Sequence, residues 1–72
     1  MNELIKKQLL NAQEYGFKVK ITLLDSFHHY GFVKEADDEF VLINLEQGNK
    51  EVTIKLSNIN EVVVYRWQKK NH

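Results

Sequence analysis

The chain has no cysteine. That excludes disulfides and thiolate metal sites, and it fits a reducing compartment. Glycine occurs only at Gly16, Gly31 and Gly48, too widely spaced to form a phosphate-cradling loop. No apolar run approaches the roughly 20 residues of a membrane span. The N-terminus lacks the unbroken apolar segment of a signal peptide. The expectation is a cytoplasmic chain without membrane contact. Net charge is zero, which argues against wholesale coating of nucleic acid. Length is also limited: 72 residues make one domain. A chain this small buries only roughly 60% of its unfolded surface and is marginal alone. Strand edges that do not close within one chain are therefore expected to pair with other copies.

The charge is unevenly spread. Lys6, Lys7, Lys18 and Lys20 outweigh Glu3 and Glu14 near the start, and Arg66, Lys69 and Lys70 stand without an acid near the end. Residues 25–64 between them are acidic, and include the run Asp37-Asp38-Glu39. Two readings stay open: a phosphate-attracting face if the basic ends share one, or ordinary solubilising charge.

The stretch from Val19 to Leu45 organises the chain. Val19, Ile21 and Leu23 alternate with Lys20 and Thr22, the period of a half-buried strand. A second run, about 26–36, holds Gly31 near its centre. A glycine inside a strand marks a bend or a close backbone approach. A third run covers Phe40–Leu45, apolar on both faces, as in a strand covered on two sides. Loop 46–50 leads to a fourth strand around Val52, Ile54 and Leu56, and Ser57-Asn58 forms a tight polar turn. A fifth strand is expected from Ile59 to about Trp67, with Val62–Val64 a candidate edge for pairing between chains. Residues 68–72 are expected to be a frayed tail.

Ahead of the strands, residues 2–15 read as a helix. Asn2 is the N-cap and Gly16 the stop. Ile5, Leu9 and Ala12 share one face, which Leu4 widens. The fold class is mainly β with one N-terminal α-helix: a short, strongly bent five-stranded antiparallel sheet, in effect an SH3-like open barrel.

The residues carry no catalytic constellation. Ser26 and Ser57 lack a nucleophile elbow, so the chain is not expected to be an enzyme, and no cofactor is implied. Adjacent strand residues His28 and His29 project to opposite faces, so they do not chelate one metal together, and the acidic run lacks calcium-loop spacing. Either histidine can stack on a base or hydrogen-bond a neighbour. The plainer alternative is one histidine partly exposed and one packed.

The order of one helix and five strands, with Leu10-Asn11-Ala12 in the helix, Gly31 at the bend, Asp37 before the third strand and Ile54–Ile59 as the last signature segment, resembles the Sm-like family, in particular its bacterial Hfq-type members. The resemblance runs from Leu9 to Arg66. It implies a homo-oligomeric ring, a hexamer or heptamer, in which the fourth strand of one subunit pairs with the fifth of the next. It also implies binding of single-stranded RNA. Lys6 and Lys7 would contact phosphates, with Lys55, Ser57 and Asn58 at the pore mouth and His28 or Tyr30 stacking; Asp37 matches the aspartate of the following turn, and Gly31 is structural.

This sequence departs from the family pattern where RNA is held. Lys55, Leu56 and Ser57 replace the Tyr-Lys-His run of the Hfq type, Thr22 replaces a first-strand aromatic, and Asp38-Glu39 stand where an Asn or Gln is usual. The expected function is a ring-forming single-stranded RNA binder, a post-transcriptional regulator or RNA chaperone. The alternatives are a protein-interaction or structural ring subunit that has lost RNA binding, or a small barrel that binds single-stranded DNA.

Overall fold

Leu9 and Ala12 are the two fully buried residues of the first helix, and they decide how it sits. The computed structural model describes residues 3–69, with the side chain of Lys69 excepted. Helix α1 covers Glu3–Tyr15, and Gly16 ends it at φ 71°, a left-handed conformation that glycine takes without a Cβ penalty. Ile5 packs partly against the core beside Leu9. Leu4 does not widen the buried stripe as expected: it is 68% exposed. At about 100° per residue, five positions carry Leu4 well off the Leu9 direction. The expected N-cap Asn2 and tail residues 70–72 lie outside the described residues.

Five antiparallel strands follow: β1 Phe17–Leu23, β2 His28–Ala36, β3 Phe40–Leu45, β4 Glu51–Lys55 and β5 Ile59–Lys69. Their order in the sheet is β4-β3-β2-β1-β5. A short 3-10 turn, Leu56–Asn58, carries the chain from β4 to β5. The one-helix, five-strand expectation therefore stands, with shifted boundaries. The β1–β2 joint spans residues 24–27, where the Asp25 carboxylate accepts the Phe27 backbone N–H at 3.0 Å. Strand β5 runs through Gln68 and Lys69, past the expected end at Trp67, where the backbone of Lys69 still pairs with Phe17.

Strand β2 changes partner along its length. Its first half pairs with β1, from Thr22–His28 to Lys18–Phe32; its second half pairs with β3, from Gly31–Leu45 to Ala36–Val41. Gly31 stands where the two pairings overlap, and its missing side chain leaves room for the Asn44 backbone. Close approach, rather than the bend alone, is what requires glycine there.

The core lies between α1 and the concave side of this sheet. Leu9 and Ala12 share one buried cluster with Val19 and Ile21 of β1, Val33 of β2, Val41 and Ile43 of β3, Ile54 of β4, Leu56, and Ile59 and Val62 of β5. The Gln13 side-chain amide donates to the Lys34 carbonyl at 2.8 Å and ties the helix to β2. Strand β3 is covered on one face only. Val41 and Ile43 are buried, whereas Phe40 is exposed and Leu42 half-buried. The two-sided cover expected for β3 is not supplied within this chain.

Candidate nucleic-acid interface

The acidic turn between β2 and β3 gathers several of the expected site residues at one end of the fold. One Asp37 carboxylate oxygen accepts the backbone N–H groups of Glu39 and Phe40, both at 2.8 Å. The Asp37 N–H donates to the Phe40 carbonyl at 2.9 Å. Those N–H donors, Phe40 first, hold the Asp37 carboxyl below its ordinary range. Asp38 reaches back to the helix and pairs with the Lys6 ammonium. That bond and the charge of Asp38 raise the Lys6 pKa above the usual lysine value. The Glu39 carbonyl accepts the Leu56 N–H at 2.8 Å, and Phe40 pairs with Lys55 across the β3–β4 ladder. Lys6, Asp37 and Lys55 are thereby brought around one acidic turn; Ser57 and Asn58 follow Leu56, and the Asn58 carbonyl accepts the Leu24 N–H at 2.9 Å.

Two of those groups are already engaged. Asp37 closes its own turn, and Lys6 is paired with Asp38, which leaves less free charge for a phosphate. Lys55, Ser57 and Asn58 have exposed side chains. Lys7 is also exposed and lines a groove with Gln8, Asn11, Val64 and Arg66, between the helix and β5. Within that region the Asn11 side-chain oxygen is buried without a hydrogen-bond partner among the described residues.

His28 and Tyr30 are held elsewhere, on the sheet face away from the helix. Both are exposed, whereas His29 is half-buried and faces the other way. The Nδ1 of His28 lies 3.1 Å from the Thr22 hydroxyl. The His29 ring meets Phe27 edge-on, with centroids 5.0 Å apart. The Tyr30 ring lies 5.5 Å from the Lys18 ammonium, which also contacts the Glu46 carboxylate at 2.8 Å. Lys18 was not singled out from sequence. Its partners come from β2 and the β3–β4 loop, and no local pattern announces them. Among the described residues no group of three or more His, Asp or Glu is arranged to hold a metal ion.

A helix laid on a bent five-stranded sheet in this strand order defines an Sm-like fold. The same architecture is found in a crystal structure of the pleiotropic translational regulator Hfq, at a TM-score of 0.75. The two share 24% sequence identity, over 85% of this chain and 98% of that one. The fold of this chain is thus that of Hfq. No family model matches the chain, and no curated protein matches it in sequence.

Proposed function

We propose that this chain assembles into a homo-oligomeric ring of six or seven copies and binds single-stranded RNA, as a post-transcriptional regulator or RNA chaperone in the cytoplasm. The observation that carries the reading is the strand order: within an Sm-like fold, β4 and β5 are the two outermost strands. Each outer strand presents a row of backbone donors and acceptors that a second chain satisfies. Joining β4 of one copy to β5 of the next is a head-to-tail contact, which closes on itself when the rotation allows. Lys7, Lys55, Ser57 and Asn58 supply exposed cationic and hydrogen-bonding groups for RNA, and His28 and Tyr30 supply rings. No helix among the described residues is long and apolar enough to cross a membrane.

Light scattering and fluorescence anisotropy test the two halves separately. The expected mass is several times the 8.5 kDa of one chain; a monomer at micromolar concentration overturns the ring. Labelled U-rich, A-rich and mixed oligoribonucleotides are expected to bind and to weaken with salt. A confirmed oligomer that binds none of them at low salt belongs instead to the protein-interaction class. Preference for single-stranded DNA over RNA favours the third reading.

A further inference from the structure

We propose that the sheet face away from the helix docks an extended, proline-rich peptide of another protein, laid across the strands from Trp67 to a hollow beside Phe32. The proposal goes beyond RNA binding and does not depend on it.

One row of side chains crosses the whole sheet on that face. Tyr65 of β5 pairs with Lys18 of β1, Lys18 with Phe32 of β2, Phe32 with Asn44 of β3, and Asn44 with Glu51 of β4. Val19, next to Lys18, lies in the core with Leu9 of the helix, so the row points the other way. Trp67 extends the row at the β5 end. Its ring meets Tyr65 edge to face, with centroids 5.4 Å apart and planes at 76°. Tyr30 flanks the middle: the Lys18 Nζ lies 5.5 Å from its ring centre and 5.9 Å from that of Tyr65. Beyond Phe32 the row opens into a hollow of about 650 Å³, lined by Phe32, Asn44, Glu46 and Asn49. Four strand spacings make the row about 19 Å long. Six residues of a polyproline II helix, at about 3.1 Å each, cover that length.

The row is rich in rings and poor in free charge. Lys18 contacts Glu46 at 2.8 Å, and Glu51 contacts Lys34 at 2.7 Å, so the row's own lysine and glutamate are both neutralised. Arg66 lies 6.0 Å from the ring of the buried Phe17, on the core side of β5. A chain of phosphates gains most from unpaired cations, and the row itself holds none. An uncharged ligand forfeits nothing there.

A proline-rich segment fits that inventory. A polyproline II helix has no internal hydrogen bonds, so its carbonyls stay free to accept from the Trp67 indole N–H or a tyrosine hydroxyl. Its backbone is ordered before it binds, which lowers the entropy lost on docking. Aromatic-lined grooves are the surfaces such segments dock on. Trp67 is 74% exposed and Tyr30 40%, which leaves both rings open to proline side chains. The 72 residues contain no proline, so the ligand lies outside them.

Trp67 is the only tryptophan, so its emission reports on the row. Titration with labelled decaproline, a Gly-Ser peptide of equal length, oligouridylate and oligoadenylate tests the proposal. Decaproline is expected to change Trp67 emission saturably, with little dependence on salt, over the same concentrations that raise its own anisotropy. The Gly-Ser peptide should do neither. Trp67→Ala is expected to weaken decaproline binding by about 30-fold or more, as loss of a central aromatic anchor does. Phe27→Ala removes a ring that is 59% exposed but off the row, and should leave binding unchanged. Equal losses in the two variants, or anisotropy that rises while Trp67 emission stays constant, overturn the site. No response to decaproline overturns the proposal, and a response to an oligoribonucleotide alone gives this face to nucleic acid instead. The wild-type emission decides even if the Trp67 variant fails to fold.

Discussion

A Cβ placed on Gly31 would stand 2.1 Å from the carbonyl oxygen of Asn44 and 3.0 Å from its carbonyl carbon. The obstacle is backbone on the neighbouring strand, which does not rotate aside as a side chain would. Gly31→Ala is therefore expected to destabilise the fold by about 1–3 kcal/mol, in the range of overpacking in a well-packed region. Gly31→Val should cost more. Thermal unfolding at one fixed protein concentration checks this. An unchanged melting temperature for the alanine variant would show that β2 and β3 part there without loss.

Leu9 and Leu4 make a paired test of the helix face. Leu9 is 0% exposed, and Leu9→Ala is expected to cost about 2–5 kcal/mol, the usual range for truncating a buried leucine. Leu4→Ala, on the exposed side, should stay within about 0.5 kcal/mol. Urea unfolding of both variants measures the difference, and equal losses would place the helix in a different rotation.

Asp37 gives the fold an acid-sensitive turn. Its pKa lies below the ordinary 3.8 because its carboxylate accepts the Phe40 and Glu39 N–H groups. A group with a depressed folded pKa stabilises the fold fully above its unfolded value, and that contribution is lost as pH falls through the folded one. The melting temperature is thus expected to drop below about pH 4. Asp37→Asn keeps an acceptor oxygen but not the titration, so its acid limb should be shallower. Parallel slopes for the two proteins would show that Asp37 has no part in it.

Asp38 pairs with the Lys6 ammonium, and under the proposed function it would compete with RNA for that charge. Replacing it by Asn frees the Lys6 ammonium while keeping the side chain's size. The variant is expected to bind single-stranded RNA more tightly, with a salt dependence steeper by about 0.7 in log K against log salt, the contribution of one added phosphate contact. Anisotropy at several salt concentrations measures it. Unchanged affinity and slope would remove Lys6 from the interface.

Local patterns were legible in the sequence, and tertiary partners were not. Phe40–Leu45 is expected as a strand and forms one over those same residues, because a short continuous apolar run bounded by polar turns leaves little choice. Gly16 as the helix stop rests on an equally local rule. The end of β5 was missed: Gln68 and Lys69 are polar, and the pairing of Lys69 opposite Phe17 extends the strand. Leu4 looked like part of the helix stripe because leucine is apolar wherever it points. At the candidate interface, the resemblance to the Sm-like family suggested Lys6 and Asp37 as contacts. The sequence held no sign that Lys6 pairs with a residue of the distant β2–β3 turn, or that Lys18 lies between Tyr30 and Tyr65.

The position of β5 has a consequence for how the chain is made. Val19 in β1 takes Val64 as one of its neighbours, so a strand near the start of the sequence has a partner near its end. While the polypeptide is still on the ribosome, α1 and β1 emerge before β5, and one side of β1 stays uncovered until β5 appears. A ribosome stalled after the Leu56–Asn58 turn would hold a four-stranded sheet whose β1 edge is open to any strand nearby, including the same edge of another unfinished copy. Completion of the sheet thus waits on the synthesis of β5.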